Sequence, residues 1–312
     1  MLAFISRKLA YGILVLLGVV IVVFFLFQGL GDPARMVLGQ SGDEKTMENI
    51  RRELYLDQPK WKQFLLYLND ISPIAVHSKQ EIKDKQLKGW FVGGETQVGL
   101  KLPYLRRSYQ TRREVGSVLL DALPGTIMLA AGAMLIAIVI GIPLGVVAAV
   151  KKDTWLDQSA IFSSILGISA PSFFMGIIIA YLFGFLWSSW TGLSISGSWY
   201  IVDEITGEKR LALQNLLLPA ITLGIRPLAI ITQLTRSAML DVLNQDFIRT
   251  AYAKGASRTR VIWRHALRNA LNPVITAVTG WFAELLAGAF FVEYIFGLQG
   301  IGKVTVDALE KK

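Results

Sequence analysis

The chain has 312 residues, of which 53% are hydrophobic and 18% charged, with a formal net charge of +9 and a mean hydropathy of +0.48. It contains no cysteine and only two histidines, His77 and His265. Disulfide scaffolds and thiolate metal sites are thereby excluded, and a histidine metal centre or serine–histidine relay is disfavoured. No charged residue falls between Asp121 and Lys151 or between Asp157 and Asp203, and about 20 apolar residues suffice to cross a bilayer. The basic residues flank these apolar blocks, a placement that suits membrane topology and headgroup contact and argues against nucleic acid.

In chain order, Arg7 and Lys8 precede an apolar run from Leu9 to Leu30. The run exceeds the roughly 7–15 residues of a signal-peptide core and ends in a turn, Gly31-Asp32-Pro33, instead of a cleavage site. Residues 1–30 are therefore expected to be an uncleaved first span. Residues 31–114 are mixed and polar, with amphipathic pieces around Met47–Leu56 and Trp61–Leu68 and a lysine-rich stretch near Glu81–Lys88. That is too long for a plain loop, so an extracytoplasmic subdomain is expected.

Residues 115–312 hold the remaining spans. The second is expected over Ala122–Val150, with Pro124 and Pro143 inside it, closed by Lys151-Lys152-Asp153. The third runs over Ser159–Trp187 with a kink at Pro171, and Trp187, Trp190, Trp199 and Tyr200 read as an interfacial aromatic cluster. The fourth, Leu211–Leu234, contains Pro219, Arg226 and Pro227; the fifth, Pro273–Val292, contains Glu284. The short loops carry their basic residues at Arg7 and Lys8, at Lys151 and Lys152, and densely between Arg236 and Arg268. The positive-inside rule then places the N-terminus and the 238–272 loop in the cytoplasm.

That loop is the most informative segment. Leu243, Phe247, Ile248, Ala251, Tyr252 and Gly255 fall on one helical stripe, opposite Asp241, Asn244, Gln245, Asp246, Arg249 and Lys254. Gly255 suits a helix C-terminal turn, Ser257 suits the cap of a second helix, and Arg260, Arg264 and Arg268 form a basic row on it. On pattern alone, a knob offered to a cytoplasmic partner and an interfacial helix pair resting on anionic headgroups fit equally well.

A resemblance separates them. The stretch Arg249-Thr-Ala-Tyr-Ala-Lys-Gly255-Ala-Ser-Arg-Thr-Arg-Val-Ile-Trp-Arg-His-Ala-Leu-Arg-Asn-Ala-Leu-Asn-Pro273 resembles the coupling-loop signature of ABC importer permeases, in its peptide-permease form. The general signature is Glu-Ala-Ala, three residues, Gly, and later Ile-x-Leu-Pro. Ala251, Gly255 and Leu267 match it, whereas Arg249, Thr250, His265 and Arg268 depart from it as in the peptide branch. Gly31-Asp-Pro-Ala34, Leu54-Tyr-Leu-Asp-Gln-Pro59, Gly141-Ile-Pro-Leu-Gly145, Leu234-Thr-Arg-Ser237 and Phe296-Gly-Leu-Gln-Gly-Ile-Gly302 resemble the same branch in order. The resemblance implies an all-α membrane protein with the type I ABC importer transmembrane fold, working as a dipeptide or oligopeptide permease. It would be a subunit of the cell inner membrane, neither an enzyme nor a cofactor protein. Its implied partners are a second permease in a heterodimer, two ATP-binding cassette ATPases and an extracytoplasmic substrate-binding protein. Arg249, Ala251, Gly255, Ala256 and Arg260 would contact the ATPase. The family has six spans; five are countable before Lys312, and truncation is the expected reason.

Other motifs are weaker. Gly297-Leu-Gln-Gly-Ile-Gly302-Lys303 fits the start of a phosphate-binding loop, but Val304 replaces its Ser/Thr and no buried strand precedes it. The resemblance implies that it is a turn or re-entrant piece near the outer mouth. Gly192-Leu-Ser194-Ile-Ser196 lacks the last glycine of a nucleophile elbow. Arg226 and Glu284 are ionisable and deep in expected spans, where such groups pair with each other, snorkel, or line the translocation path, in which case Arg226 would meet a peptide carboxylate. An ion-driven secondary transporter is the competing function, but it calls for repeated halves and intramembrane carboxylates, and a membrane hydrolase lacks its catalytic groups.

Overall fold

Backbone amides in hydrocarbon must bond within their own segment, so apolar blocks of this length fold as helices. In the computed structural model, which describes residues 1–29, 44–108, 111–202 and 208–310, four helices are long and apolar enough to cross a membrane, and a bent pair makes a fifth crossing if counted as one. The expected Gly31-Asp32-Pro33 turn and the Gly31–Ala34 motif lie outside the described residues. Two compact units divide the chain, Met1–Val118 and Leu119–Glu310.

In the first unit, α1 (Leu2–Gly29) carries the N-terminal span. The two amphipathic pieces are α2 (Glu44–Glu53) and α3 (Lys60–Ile71). The end of α1 lies on α3: Phe24 packs edge-on to Phe64 with ring centroids 5.1 Å apart, and Gln28 donates to Gln63 at 2.7 Å. After α3 comes β1 (Ile74–Ser78), then α4 (Lys79–Asp84), β2 (Gly89–Gly93) and β3 (Thr96–Lys101). These strands form an antiparallel sheet of order β1-β3-β2, an element beyond the amphipathic helices expected for this region.

One face of the sheet buries Ala75 and His77, while Ile74, Val76, Trp90, Val92, Val98 and Leu100 stand outward on the other. The unit's polar centre is Asp70, 1% exposed, with Lys85 donating a hydrogen bond to it at 2.7 Å and the Arg106 guanidinium lying 3.6 Å away as an ion-pair partner. Burial pulls the Lys85 ammonium down, but its hydrogen bonds to Asp70 and Tyr55 outweigh that and leave its pKa raised.

The second unit is built around α9 (Leu213–Leu243), packed against the long α5 (Val115–Val150). Leu129, Ala133, Ala137, Gly141, Gly145 and Ala149 recur every fourth residue along α5, and all are buried. Small residues let the backbones meet: a Cβ on Gly224 would stand 2.8 Å from the Ala133 carbonyl oxygen, and one on Gly145 2.6 Å from that of Thr232. Thr232 bonds its own Leu228 carbonyl at 2.8 Å and reaches the Gly141 carbonyl at 3.3 Å.

Three expectations for the spans change. The third crossing is broken, not kinked: α6 (Trp155–Ser169) and α7 (Ser172–Leu186) meet at 106°. Pro171 has no N–H and drives Ala170 to extended geometry, φ −74° and ψ 127°, which ends the first helix. The fourth crossing continues to Leu243, so positions 238–243 are helix and not loop. The fifth is α11 (Arg258–Ala287); the basic segment forms its first turns instead of a separate helix, and Val292 falls in a distinct α12 (Phe290–Ile295). The aromatic cluster also divides, since Trp190 is 92% exposed whereas Trp199 packs on the apolar core.

His77 supplies a test of the first unit. Burial and then the nearby Lys85 ammonium hold its imidazole below the usual histidine value of 6.5. The folded unit thus binds fewer protons than the unfolded chain, and this group's contribution is fully present above pH 6.5 and lost as pH falls below it. Hydrogen exchange at the Ala75 and His77 amides should therefore accelerate between pH 7.5 and 5, after correction for intrinsic rates, and His77→Gln should flatten that dependence. An unchanged slope in the variant would assign the acid sensitivity elsewhere.

Candidate functional site

The segment with the densest basic charge forms a short knob. Helix α10 (Asp246–Ala253) begins after Gln245 and buries Ile248, 2% exposed, among Val146 and Ala149 of α5, Met239 and Val242 of α9, and Val261, Ile262 and Ala266 of α11. The expected stripe is interrupted. Leu243 closes α9, a turn at Asn244–Gln245 resets the phase, and Phe247 and Tyr252 point outward at 38% and 44% exposure. Arg249 is exposed as well, 3.6 Å from Asp246.

The end of α10 explains the spacing of Ala251, Gly255 and Ala256. Gly255 adopts φ +78°, its N–H bonds the Tyr252 carbonyl at 2.9 Å, and the Ala256 N–H bonds the Ala251 carbonyl at 3.2 Å. This pair of bonds is a Schellman cap, which needs a residue tolerant of the left-handed region at one position and a small apolar contact across the turn. Ala251 and Ala256 both pack on the apolar cluster beneath. Ser257 has N-cap geometry but no side-chain cap bond, so the start of α11 depends on the turn. Arg260 is exposed one turn into α11, just ahead of a π-helical turn at Val261–Ala266.

Two polar locks that the sequence reading missed hold this unit. Asp157, 2% exposed, receives both the Nε and an Nη of Arg236, the latter at 2.7 Å, and also accepts the Asp153 N–H at 2.9 Å. The lock ties α6 to α9. In the sequence Asp157 marks the edge of an apolar run and Arg236 belongs to the basic segment and the Leu234–Ser237 motif, and their pairing across 79 positions leaves no local signal.

The other lock is Glu293, 1% exposed in α12. Thr126 donates to it at 2.7 Å and the Lys303 N–H at 3.1 Å, while the Thr126 hydroxyl accepts the Ile301 N–H at 2.9 Å. The carboxylate thus caps α13 (Ile301–Glu310) at the end that favours anions. A Cβ on Gly300 or Gly302 would collide with that carboxylate, so these glycines make room for a protein anion and not for a phosphate. The glycine rhythm after Phe296 was the available signal.

Arg226 and Glu284 line one cavity of about 100 Å³ with Trp281, Ser172 and Ala170, beside the α6–α7 break. The Arg226 guanidinium lies 5.5 Å from the centre of the Trp281 ring. Among the described residues no ion pair joins the two, so the mutual pairing weighed from sequence is absent. No cluster of potential metal ligands occurs among the described residues either.

Residues 141–312 match the family model described as binding-protein-dependent transport system inner membrane component, and residues 1–130 match the model of that component's N-terminal part. The dipeptide transport system permease protein DppB of Alkalihalophilus pseudofirmus is 32% identical over 99% of this chain and 88% of its own. The di/tripeptide permease protein DppB of Pseudomonas aeruginosa is 34% identical over 100% and 89%, and the glutathione transport system permease protein GsiC of Escherichia coli 31% over 100% and 88%. Among solved structures, a chain of the inward-facing MetNI methionine ABC transporter is similar at a TM-score of 0.47 and 14% identity, covering 62% of this chain and 80% of that one.

The Asp157–Arg236 lock predicts a stability pattern. Removing one partner of a well-buried pair costs about 3–5 kcal/mol, and the partial exposure of Arg236 points to the lower end of that range. Asp157→Leu should lower the melting temperature in detergent sharply, and Asp157→Leu combined with Arg236→Met should recover part of the loss. Additive losses in the double variant would mean that the two side chains do not act as a pair.

Proposed function

This chain belongs to the family of binding-protein-dependent transport system inner membrane components, as a permease subunit of a peptide ABC transporter, and from that premise we propose that it imports di- or oligopeptides and is driven through the knob at 241–268. In this reading a second, non-identical permease completes the path, two ATP-binding cassette ATPases supply the work and perform the hydrolysis, and an extracytoplasmic protein delivers the peptide. The N-terminus and the 238–272 region face the cytoplasm, and residues 31–114 lie outside it. An ion-driven secondary transporter is not supported, because the family is that of binding-protein-dependent systems.

The observation that carries the proposal is a capped helix seated on the ends of three spans. ATP must bias one of two discrete arrangements of the pore, which demands a stiff connection between motor and helices. Ile248 anchors α10 below, the Schellman turn fixes its end, and Phe247, Arg249 and Tyr252 remain outward for a partner's groove. Arg260 stands outward on the adjoining turn. A push on α10 therefore reaches α5, α9 and α11 together.

Gly255→Pro cannot adopt φ +78° and removes the bond to Tyr252. In proteoliposomes with the complete transporter it should cut ATP-driven uptake by about tenfold or more, equivalent to a coupling change of about 1.4 kcal/mol, while Gly255→Asn, which tolerates the left-handed region, should retain most of it. A charge introduced as Ala251→Glu should resemble the proline variant. Full uptake by Gly255→Pro would remove the knob from the mechanism.

Orientation has its own test. Because the chain has no cysteine, Ala256→Cys introduces a single thiol, and an impermeant maleimide should label it in inside-out vesicles only. Labelling of intact cells would invert the proposed topology.

A further inference from the structure

A charged side chain at mid-membrane is expensive and persists where it meets a partner or a water-filled path. Arg226 lies 13 residues from one end of Leu213–Leu243 and 17 from the other, about 20 and 25 Å at the helical rise. Glu284 shares its cavity. Opposite charges this deep would ordinarily neutralise one another, yet here each is left without an ion-pair partner among the described residues.

Arg226 rests instead near the Trp281 ring, 5.5 Å from its centroid. A ring contact of this kind steadies the guanidinium but leaves its N–H fork available for a carboxylate. Trp281 and Glu284 are three residues apart on α11, about 4.5 Å in rise, and both line the cavity together with Arg226. Gly167 and Ala170 contribute wall at the end of α6, where the last carbonyls lose their helical partners and favour a cation.

We infer that this cavity is a subsite for the charged ends of a short zwitterionic peptide, with Arg226 taking the carboxylate and Glu284 the ammonium. The inference rests on the peptide-importer reading above and deepens it. At about 100 Å³ the cavity falls below the roughly 300 Å³ at which whole-ligand pockets begin. It therefore takes the charged termini that all linear peptides share and leaves variable side chains to the wider path. Its place at the Pro171 break means that filling it loads the junction between α6 and α7.

The test uses the complete transporter without its binding protein, so that terminus selection upstream does not enter. Equilibrium binding is measured for dialanine, N-acetyl-dialanine and dialanine amide. The wild type should bind dialanine and lose about tenfold in affinity when either end is blocked, the loss of one charge-assisted contact. Arg226→Gln should weaken dialanine to the level of the amide and abolish discrimination between the two. Glu284→Gln should do the same for the acetylated probe, and Arg226→Lys should keep part of the preference for a free carboxylate. No discrimination in the wild type would overturn the subsite. So would variants that discriminate as the wild type does but melt earlier, which would assign both charges to contacts with the second permease. ATP hydrolysis by the same samples reports the importer reading separately: its absence in the wild type would defeat that reading, whereas normal hydrolysis with undiscriminating wild-type binding would defeat the subsite alone.

Discussion

The close approach of α5 and α9 is the constraint on which the rest of the membrane unit depends. Lipid tails are as apolar as leucine, so burying greasy surface gives two helices in a bilayer little reason to associate. Contact must come from backbones that nearly touch. The four-residue ridge from Leu129 to Ala149 on α5, and Gly224 on α9, provide that approach. Both apolar clusters of the unit are anchored on this seam, one around Leu129, Ala133 and Leu216 and the other around Val146, Ala149 and Met239. The second is the seat of Ile248, so the position of the knob is inherited from the seam.

Polarity is distributed along α9 with a matching logic. Near its C-terminal end Arg236 is neutralised by Asp157, and beyond the first cluster the Gly-rich turn closes over Glu293 and Thr126. Both carboxylates have nearly complete sets of donors, as buried charges require. Between these satisfied ends lies the cavity of Arg226 and Glu284, whose charges are not satisfied by each other. A structural ion pair would have been the cheaper arrangement. The contrast between locked ends and an open middle fits a protein that holds its frame rigid and leaves one mid-span place for something else to occupy.

Much of this was legible in the sequence, for identifiable reasons. Uninterrupted apolar runs bounded by charge can only be helices in hydrocarbon, so the spans were recoverable to within a few residues at α1 and at the end of α5. Gly255 was legible because the left-handed turn it makes is a local requirement. The break at Pro171 was only half legible: proline announces a distortion, but the 106° angle is set by what α6 and α7 pack against. The run from Arg258 into the fifth span was misread because polar residues on a helix protruding from the bilayer look like a separate loop element. The sheet of the first unit was missed because its strands are five or six residues long and one of its faces carries exposed apolar side chains.

The two locks were illegible for a different reason. A charge at the edge of an apolar run has an ordinary explanation as a boundary marker, and that explanation suffices whenever the partner is far away in sequence. Asp157 with Arg236 and Glu293 with Thr126 are joined across 79 and 167 positions. Only the packing set by the seam brings them together. The same dependence runs the other way, because a helix pair held by small residues has little resistance to sliding, and dispersion contacts alone do not fix its register. A bidentate Arg–Asp pair and a capped helix end are directional and have one good geometry each. They supply the register that the glycine and alanine ridge leaves open, and a knob pressed by a motor can transmit its displacement only if that register holds.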